Sequence, residues 1–371
     1  MAISSAMKRF LTVLAVLLVG NSVMASDHSD VATHEQEESF NVNEMIMHHV
    51  MDAHEWHLWG DAHEGTSIYL PIILVDGGLQ VFSSSHFYHG EHKTAIDEET
   101  GESQSYIVGV GPAEGYAMAH EEIYKLEHGE LHFVGGHPHN AKPVDLSITR
   151  NVTSLFLTFI LMVWIMFSVA KFYRKNGAVA PKGLAKFVEP IIIFVRDDIA
   201  KENIGEKKYK KYVPYLLTIF FFIWISNLTG LIPLLGSNLT GNISVTFFLA
   251  VCTLLVTVLS GNRNYWKHIF ATPGVPVALL PIMIPIEVVG ILTKPFALMV
   301  RLFANITAGH IIILALVSII FINENAAWGA LSVPMALFIS VLELLVGVLQ
   351  AYLFAMLSAL FIGAAVEEAH H

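Results

Sequence analysis

Charge is scarce in this 371-residue chain: Asp, Glu, Lys and Arg make up only 14% of it, against 54% hydrophobic residues. That shortage excludes an ordinary soluble enzyme and fits a polytopic membrane protein. Cysteine is nearly absent. The single Cys252 sits in an apolar run, so there is no disulfide framework. Basic residues are missing where a nucleic acid would need them, because residues 26–147 hold 22 acids against 3 bases. Nucleic-acid partners are thereby excluded. No GxxxxGK[ST] loop occurs, so the chain has no nucleotide site of that kind. The net charge of −11 averages two unlike halves, since from Arg150 onward there are 10 acids and 16 bases.

What is present begins with a targeting pattern. Lys8 and Arg9 precede the apolar run "FLTVLAVLLVG" (10–20), and "VMA" (23–25) has the small residues of a signal-peptidase site. Residues 1–25 read as a signal peptide cleaved after Ala25, the alternative being an uncleaved anchor. Residues 26–148 read as a small exported region, acidic and His-rich, α+β or irregular. In it, "NEMIMHHVMDAHEWHLW" (43–59) has helix-like apolar spacing, and "SIYLPIILVDGGLQVFSS" (67–84) reads as two strands around an Asp76-Gly77 turn. "YKLEHGELHFV" (124–134) repeats that pattern around His128-Gly129, and the polar stretch 90–115 reads as loop. Fifteen of 19 histidines precede Asn140. His86, His89 and His92 recur every three residues, a weak metal-ligand signal, since spacing alone does not build a site. An acidic surface with scattered histidines is the preferred reading, and no cofactor is implied.

The membrane domain, 149–371, reads as about five helices. Spans are expected at 152–170, 212–235 and 243–260. Eleven bases between Lys171 and Lys211 put that segment on the cytoplasmic side by the positive-inside rule. Its amphipathic part, 184–205, is expected on the inner surface. The exported N-terminus implied by the signal gives the same orientation, with a cytoplasmic C-terminus. "TPGVPVALLPIMIPI" (272–286) carries four prolines and predicts a broken, re-entrant stretch. Two long apolar runs follow, 287–322 and 327–366, separated by the polar 323–326. Each would be roughly 50–60 Å long as a helix, against a hydrocarbon core of about 30 Å. Ordinary tilt cannot absorb the excess, so the pair should form a steeply inclined antiparallel hairpin. The alternative is a break near Pro295 and Pro334, or near Gly309 and Gly347.

Ionisable residues in this hairpin are few: Glu287, Lys294, Arg301, His310 and Glu343, with Gln350 as the main polar neighbour. If the helices turn near residue 325, equal rise puts Arg301 level with Gln350 and His310 level with Glu343. At about 100° per residue, Glu287, Lys294, Arg301 and Asn305 share one stripe of the first helix, whereas His310 lies on the other side. One face thus carries a permanent cation, and another a pair that can exchange protons. That combination suits ion translocation. Titrating groups reach partway across, and a guanidinium that keeps its proton bars the rest of the way. Bland accounts also exist. Lys294 is expected to snorkel to the interface, Gln350 could serve as interhelical glue, and His310–Glu343 could be a structural pair.

At these residues the sequence resembles subunit a of F-type ATP synthases. The resemblance rests on "SNLTGLIP" (226–233), "PIEVVGILTKPFALMVRLFANITAGH" (285–310) and "VLELLVGVLQAYLFAMLSALFIG" (341–363). It implies a proton-translocating stator subunit with two half-channels against the c-subunit ring, coupling proton flow to ring rotation. The implied partners are that ring, the b-subunit stator stalk, the rest of the synthase and the lipid bilayer. By the same resemblance, Arg301 matches the family's essential arginine, Gln350 the glutamine beside it and Asn305 the asparagine one turn on. His310 and Glu343 match a pair whose residue types are exchanged in some members, placed at the outer half-channel. Glu287 resembles an acidic position at the inner half-channel, and Asn227 a polar position on an earlier span. Gly230 stands where members often have an acid, and Ala297 where some have a small hydroxyl residue. The 120-residue acidic region has no counterpart in the short members. The chain would be a non-catalytic subunit. A secondary transporter or channel with an intramembrane arginine is the alternative, drawing on the proline-rich 272–286 segment. A haem oxidoreductase is rejected, because only His310 lies deep.

Overall fold

The computed structural model of the chain describes residues 51–59, 66–177, 179–232, 238–270, 276, 279–323 and 325–367. The expected signal peptide, and the helix-like spacing over 43–50, lie outside them.

The N-terminal region is built of strands. β1 (Glu55–Trp59) pairs antiparallel with β2 (Thr66–Tyr69). β3 (Pro71–Val75) and β4 (Leu79–Ser83) form the hairpin expected around Asp76-Gly77, with Val75 opposite Leu79 and Gly77 at φ +61°. Strand alternation drives Ile72 and Leu74 into a core with Phe82, Tyr116 and Met118. A short helix α1 (Ser85–Tyr88) leads to a four-stranded antiparallel sheet. Its strands are β5 (Glu91–Ile96), β6 (Ser103–Val108), β7 (Tyr116–Ala119) and β8 (Glu122–Lys125), in sequence order. Two short pairings complete the region: β9 (Phe133–Val134) with β10 (His137–Pro138), and β11 (Val144–Asp145) with β3.

Three expectations need correcting here. Residues 55–59 are a strand, not part of a helix. The stretch 90–115 is largely a hairpin: β5 is an edge strand whose polar side chains face water, so its composition mimics a loop. The turn at His128-Gly129 forms, both residues having positive φ, but only the Glu127–Glu130 bridge closes it.

Among the described residues, five helices are long and apolar enough to span a membrane. α2 (Arg150–Asn176) starts on Thr149, whose hydroxyl accepts from the Val152 N–H, and on Asp52, whose carboxylate accepts from the Asn151 N–H. Negative charge at a helix N-terminus is stabilising. α3 (Leu184–Phe194) runs into a π-helical segment, Val195–Lys201, and a last turn, Glu202–Ile204. α4 (Val213–Gly230) and α5 (Ile243–Ser260) follow, then a short α6 (Arg263–Phe270). α7 (Leu280–Ile322) and α8 (Gly329–Val366) have 43 and 38 residues.

Both long helices run unbroken through their prolines, Pro285 and Pro295 in α7 and Pro334 in α8. The stretch from Leu280 to Pro285, expected to be broken, is therefore the start of α7. At 1.5 Å per residue α7 is about 64 Å long, twice a hydrocarbon core of about 30 Å. The two helices are antiparallel: Ile320 approaches Gly329, His310 meets Glu343, and the Lys294 ammonium lies 5.6 Å from the Phe361 ring centre. Around them the buried core joins Leu216, Ile223, Leu302, Ile306, Phe354 and Ile362.

Candidate functional site

Where α4, α7 and α8 meet, polar side chains are buried in an otherwise apolar bundle. Glu343 is 5% exposed, and its Oε1 lies 3.0 Å from Nδ1 of His310. That contact is the level pairing expected from equal rise along a hairpin. Distance and alignment differ, however: both buried carboxylate oxygens lack a hydrogen bond of good geometry. One turn along α8, the Gly347 carbonyl accepts from Asn227 Nδ2 at 3.0 Å, and Asn227 Oδ1 accepts from the Thr240 hydroxyl at 2.6 Å. A carbonyl can only accept, so the Asn227 amide orientation is fixed.

These groups surround a small cavity whose wall includes Ser226, Asn238, Ile306, His310 and Glu343. It offers about 10 Å³ to the centre of a water molecule, close to the least that holds one water. Ser226 Oγ and both polar atoms of the Asn238 side chain are buried beside it without hydrogen-bond partners. Buried polar groups are normally satisfied, so the cavity is chemically suited to water. Glycines permit the approach. A Cβ at Gly309 would lie 2.9 Å from Glu343 Oε1, and one at Gly347 would lie 3.0 Å from Asn227 Cβ. These two glycines are packing positions, not helix breaks.

The other face of α7 is different. Arg301 and Asn305 are exposed, Glu287 is half-buried, and Lys294 is exposed above Phe361. One turn to either side of Arg301 on the same stripe of α7, Ala297 and Ala304 are exposed as well, so the surface beside the guanidinium is apolar. Gln350 is 3% exposed and lies on α8. Arg301 falls between the His310–Glu343 and Lys294–Phe361 contacts, near the level of Gln350. Among the described residues no hydrogen bond joins the two, so the expected meeting of arginine and amide is one of level only.

Sequence reasoning missed Ser226, Asn238 and Thr240. Their polarity was visible, but the loop that folds Thr240 back onto Asn227 has no periodicity to reveal it. His86, His89 and His92 are not gathered: His86 lies edge-on to Phe82, and His89 Nε2 is 3.4 Å from the Tyr69 hydroxyl. Among the described residues no three His, Cys, Asp or Glu side chains stand close enough to share a metal ion.

The family model for the ATP synthase A chain matches residues 152–363. A domain of unknown function (DUF8433) matches residues 45–146. The chain is 46% identical over 233 residues to the ATP synthase subunit a of Chloroherpeton thalassium, covering 61% of this chain and 69% of that one. It is 49% identical over 245 residues to ATP synthase subunit a 2 of Chlorobaculum tepidum, covering 64% and 67%. With ATP synthase subunit a 2 of Prosthecochloris aestuarii the identity is 39% over 317 residues, covering 82% and 93%. A buried acid–histidine pair, an exposed arginine on the opposite face and a family match across all five spans lead to one conclusion: this multi-pass membrane protein belongs to the ATP synthase A chain family.

Proposed function

We propose that the chain is the stator subunit of the membrane sector, guiding protons along two half-channels to and from a rotating c-subunit ring. One observation carries this reading. A buried carboxylate, Glu343, and an imidazole, His310, stand 3.0 Å apart at a water-sized cavity, while Arg301 is exposed on the far side of the same helix. Glu343 and His310 line the outer half-channel, with Asn227 holding its wall. Glu287 belongs to the inner one. Arg301, flanked by Asn305 and level with Gln350, faces the ring carboxylate and separates the two paths. An exposed guanidinium in an apolar face is costly in lipid, at least about 2.5 kcal/mol, and an ionised ring carboxylate offsets that cost.

The proton balance is simple. A proton entering from outside passes the Glu343–His310 pair to a ring carboxylate, whose neutral form then enters lipid. When that carboxyl has travelled round the ring it releases the proton toward Glu287 and pairs again with Arg301. Each charge crossing the potential supplies about 2.3 kcal/mol per 100 mV. The b-subunit stalk holds the chain against rotation, and a cleaved signal places the N-terminal region outside a bacterial inner membrane. The transporter alternative drew on the proline-rich segment 272–286; its part from Leu280 onward is helical in α7, while 272–275 and 277–278 lie outside the described residues.

The test uses vesicles carrying the whole synthase. Arg301→Ala should reduce proton-driven ATP synthesis to background and open a passive leak. Synthesis at the normal rate in that variant would overturn the barrier role. Exchanging the pair, His310→Glu with Glu343→His, should retain more activity than either single alanine. Equal damage from all three would show that shared proton chemistry is not what the pair provides.

A further inference from the structure

The basic run 207–211 has so far served only as a marker of orientation. In the fold it lines a pocket. After the turn Glu202–Ile204 the chain loops through Tyr209–Lys211 into α4. Lys207, Lys208, Lys210 and Lys211 there face Ser260 and Asn262 across a volume of about 440 Å³. No acidic side chain among the described residues lines it. Glu206, the nearest acid in sequence, is engaged by Lys201 at 2.8 Å.

The four lysines are not equivalent. Lys208 donates to the Val366 carbonyl at 2.8 Å, and so serves the C-terminal end of α8, where a cation is favoured. Lys211 lies over the Tyr212 ring, 5.4 Å from its centre. Lys207, Lys210 and Lys211 are exposed and make no ion pair among the described residues. Polar partners stand opposite. Asn262 is fixed by its N–H to the Ala365 carbonyl and by its amide to the Glu367 carbonyl.

Depth is the second observation. α4 begins at Val213, α5 ends at Ser260 and α8 ends at Val366, so three apolar spans terminate around this one pocket. It therefore opens where hydrocarbon gives way to the headgroup layer. Lysines act on phosphate as mobile point charges, and basic pockets between spans at this depth match anionic headgroups. We propose that this pocket binds a phosphate-bearing anion, the headgroup of an anionic phospholipid seated between the ends of α4, α5 and α8. The proposal does not rest on the proton path.

The test measures phosphatidylglycerol and phosphatidylcholine retained by the detergent-washed synthase carrying the full chain. The wild-type complex should retain phosphatidylglycerol in preference, and saturating inorganic phosphate should not displace it. The triple variant Lys207→Ser, Lys210→Ser, Lys211→Ser should bind phosphatidylglycerol at least about tenfold more weakly, as three cations are lost. The matching Lys→Arg triple, which keeps charge, should bind as wild type does and controls for assembly. Equal retention by wild type and the serine triple would overturn the proposal. Displacement by inorganic phosphate would overturn the lipid assignment.

Discussion

At the scale of single residues, the site depends on small groups that bring larger ones into contact. Thr240 donates to Asn227, and Asn227 donates to Gly347, so one hydroxyl ties the loop after α4 to α8. Replacing it by valine leaves a buried amide oxygen without a donor, a loss of about 1–3 kcal/mol. Thr240→Val should lower the thermal stability of the detergent-solubilised complex by that much, whereas Thr240→Ser should restore it. No loss with valine would mean that water satisfies Asn227 equally well. Gly309→Ala tests position more finely. Its Cβ would press on Glu343 Oε1, the end of a flexible side chain, so the carboxylate moves and the fold does not. Stability should change by less than about 0.5 kcal/mol, while proton-driven ATP synthesis in vesicles falls severalfold. Unchanged synthesis would show that the 3.0 Å approach to His310 is not needed. Glu343 and His310 were legible because charges in apolar runs stand out. Thr240 and Gly309 were not, because their role exists only once three helices are packed together.

At the scale of elements, the long hairpin was the most legible part of the chain. Its pairing follows from a turn position and an equal rise, and the His310–Glu343 contact bears that out. Helix continuity through Pro285, Pro295 and Pro334 was less accessible, since proline removes a hydrogen bond wherever it sits and only the neighbouring helices decide whether the helix survives. Polar strands were the hardest: β5 faces water, and its sequence carries no inward alternation. The amphipathic segment shows a further limit. Its spacing predicts a surface helix, yet its end is packed on α8, where a Cβ at Gly363 would lie 2.1 Å from the Asn203 carbonyl oxygen. That obstacle is backbone, so it cannot swing aside. Gly363→Ala should push the turn at Glu202–Ile204 off α8 and destabilise the subunit by about 1–3 kcal/mol. Limited proteolysis should then cut near residues 201–208 faster than in the wild-type protein. Unaltered cleavage would mean that the two elements slide past one another at little cost.

At the scale of the whole molecule, the contrast between an acidic front and an apolar remainder becomes a contrast in what acid should do. Several carboxyls of the β region are held ionised by their surroundings. Asp76 is held below the usual range by hydrogen bonds from Lys125 and Tyr116. Burial pushes Asp145 up, but the nearby His54 ring and the Ser147 hydroxyl outweigh it and leave it lowered. Asp97 is the strongest case. It is 1% exposed and accepts from the N–H groups of Glu99, Thr100, Gly135 and Gly136, tying the β5–β6 turn to the β9–β10 turn. Those backbone bonds bring it from an ordinary 3.8 down to about 2. A lowered carboxyl contributes stability that is complete above its unfolded value and is lost as pH falls through its folded value. The β region should therefore lose amide-exchange protection over residues 91–138 between about pH 4 and pH 2, while α4, α5, α7 and α8, held by apolar packing, keep theirs. Asp97→Asn should lower protection already at neutral pH and flatten its dependence on acid in that window. If the variant kept the wild-type slope, the turn-to-turn tie through Asp97 would not be the acid-sensitive bond, and the sensitivity would have to be sought at Asp76 and Asp145.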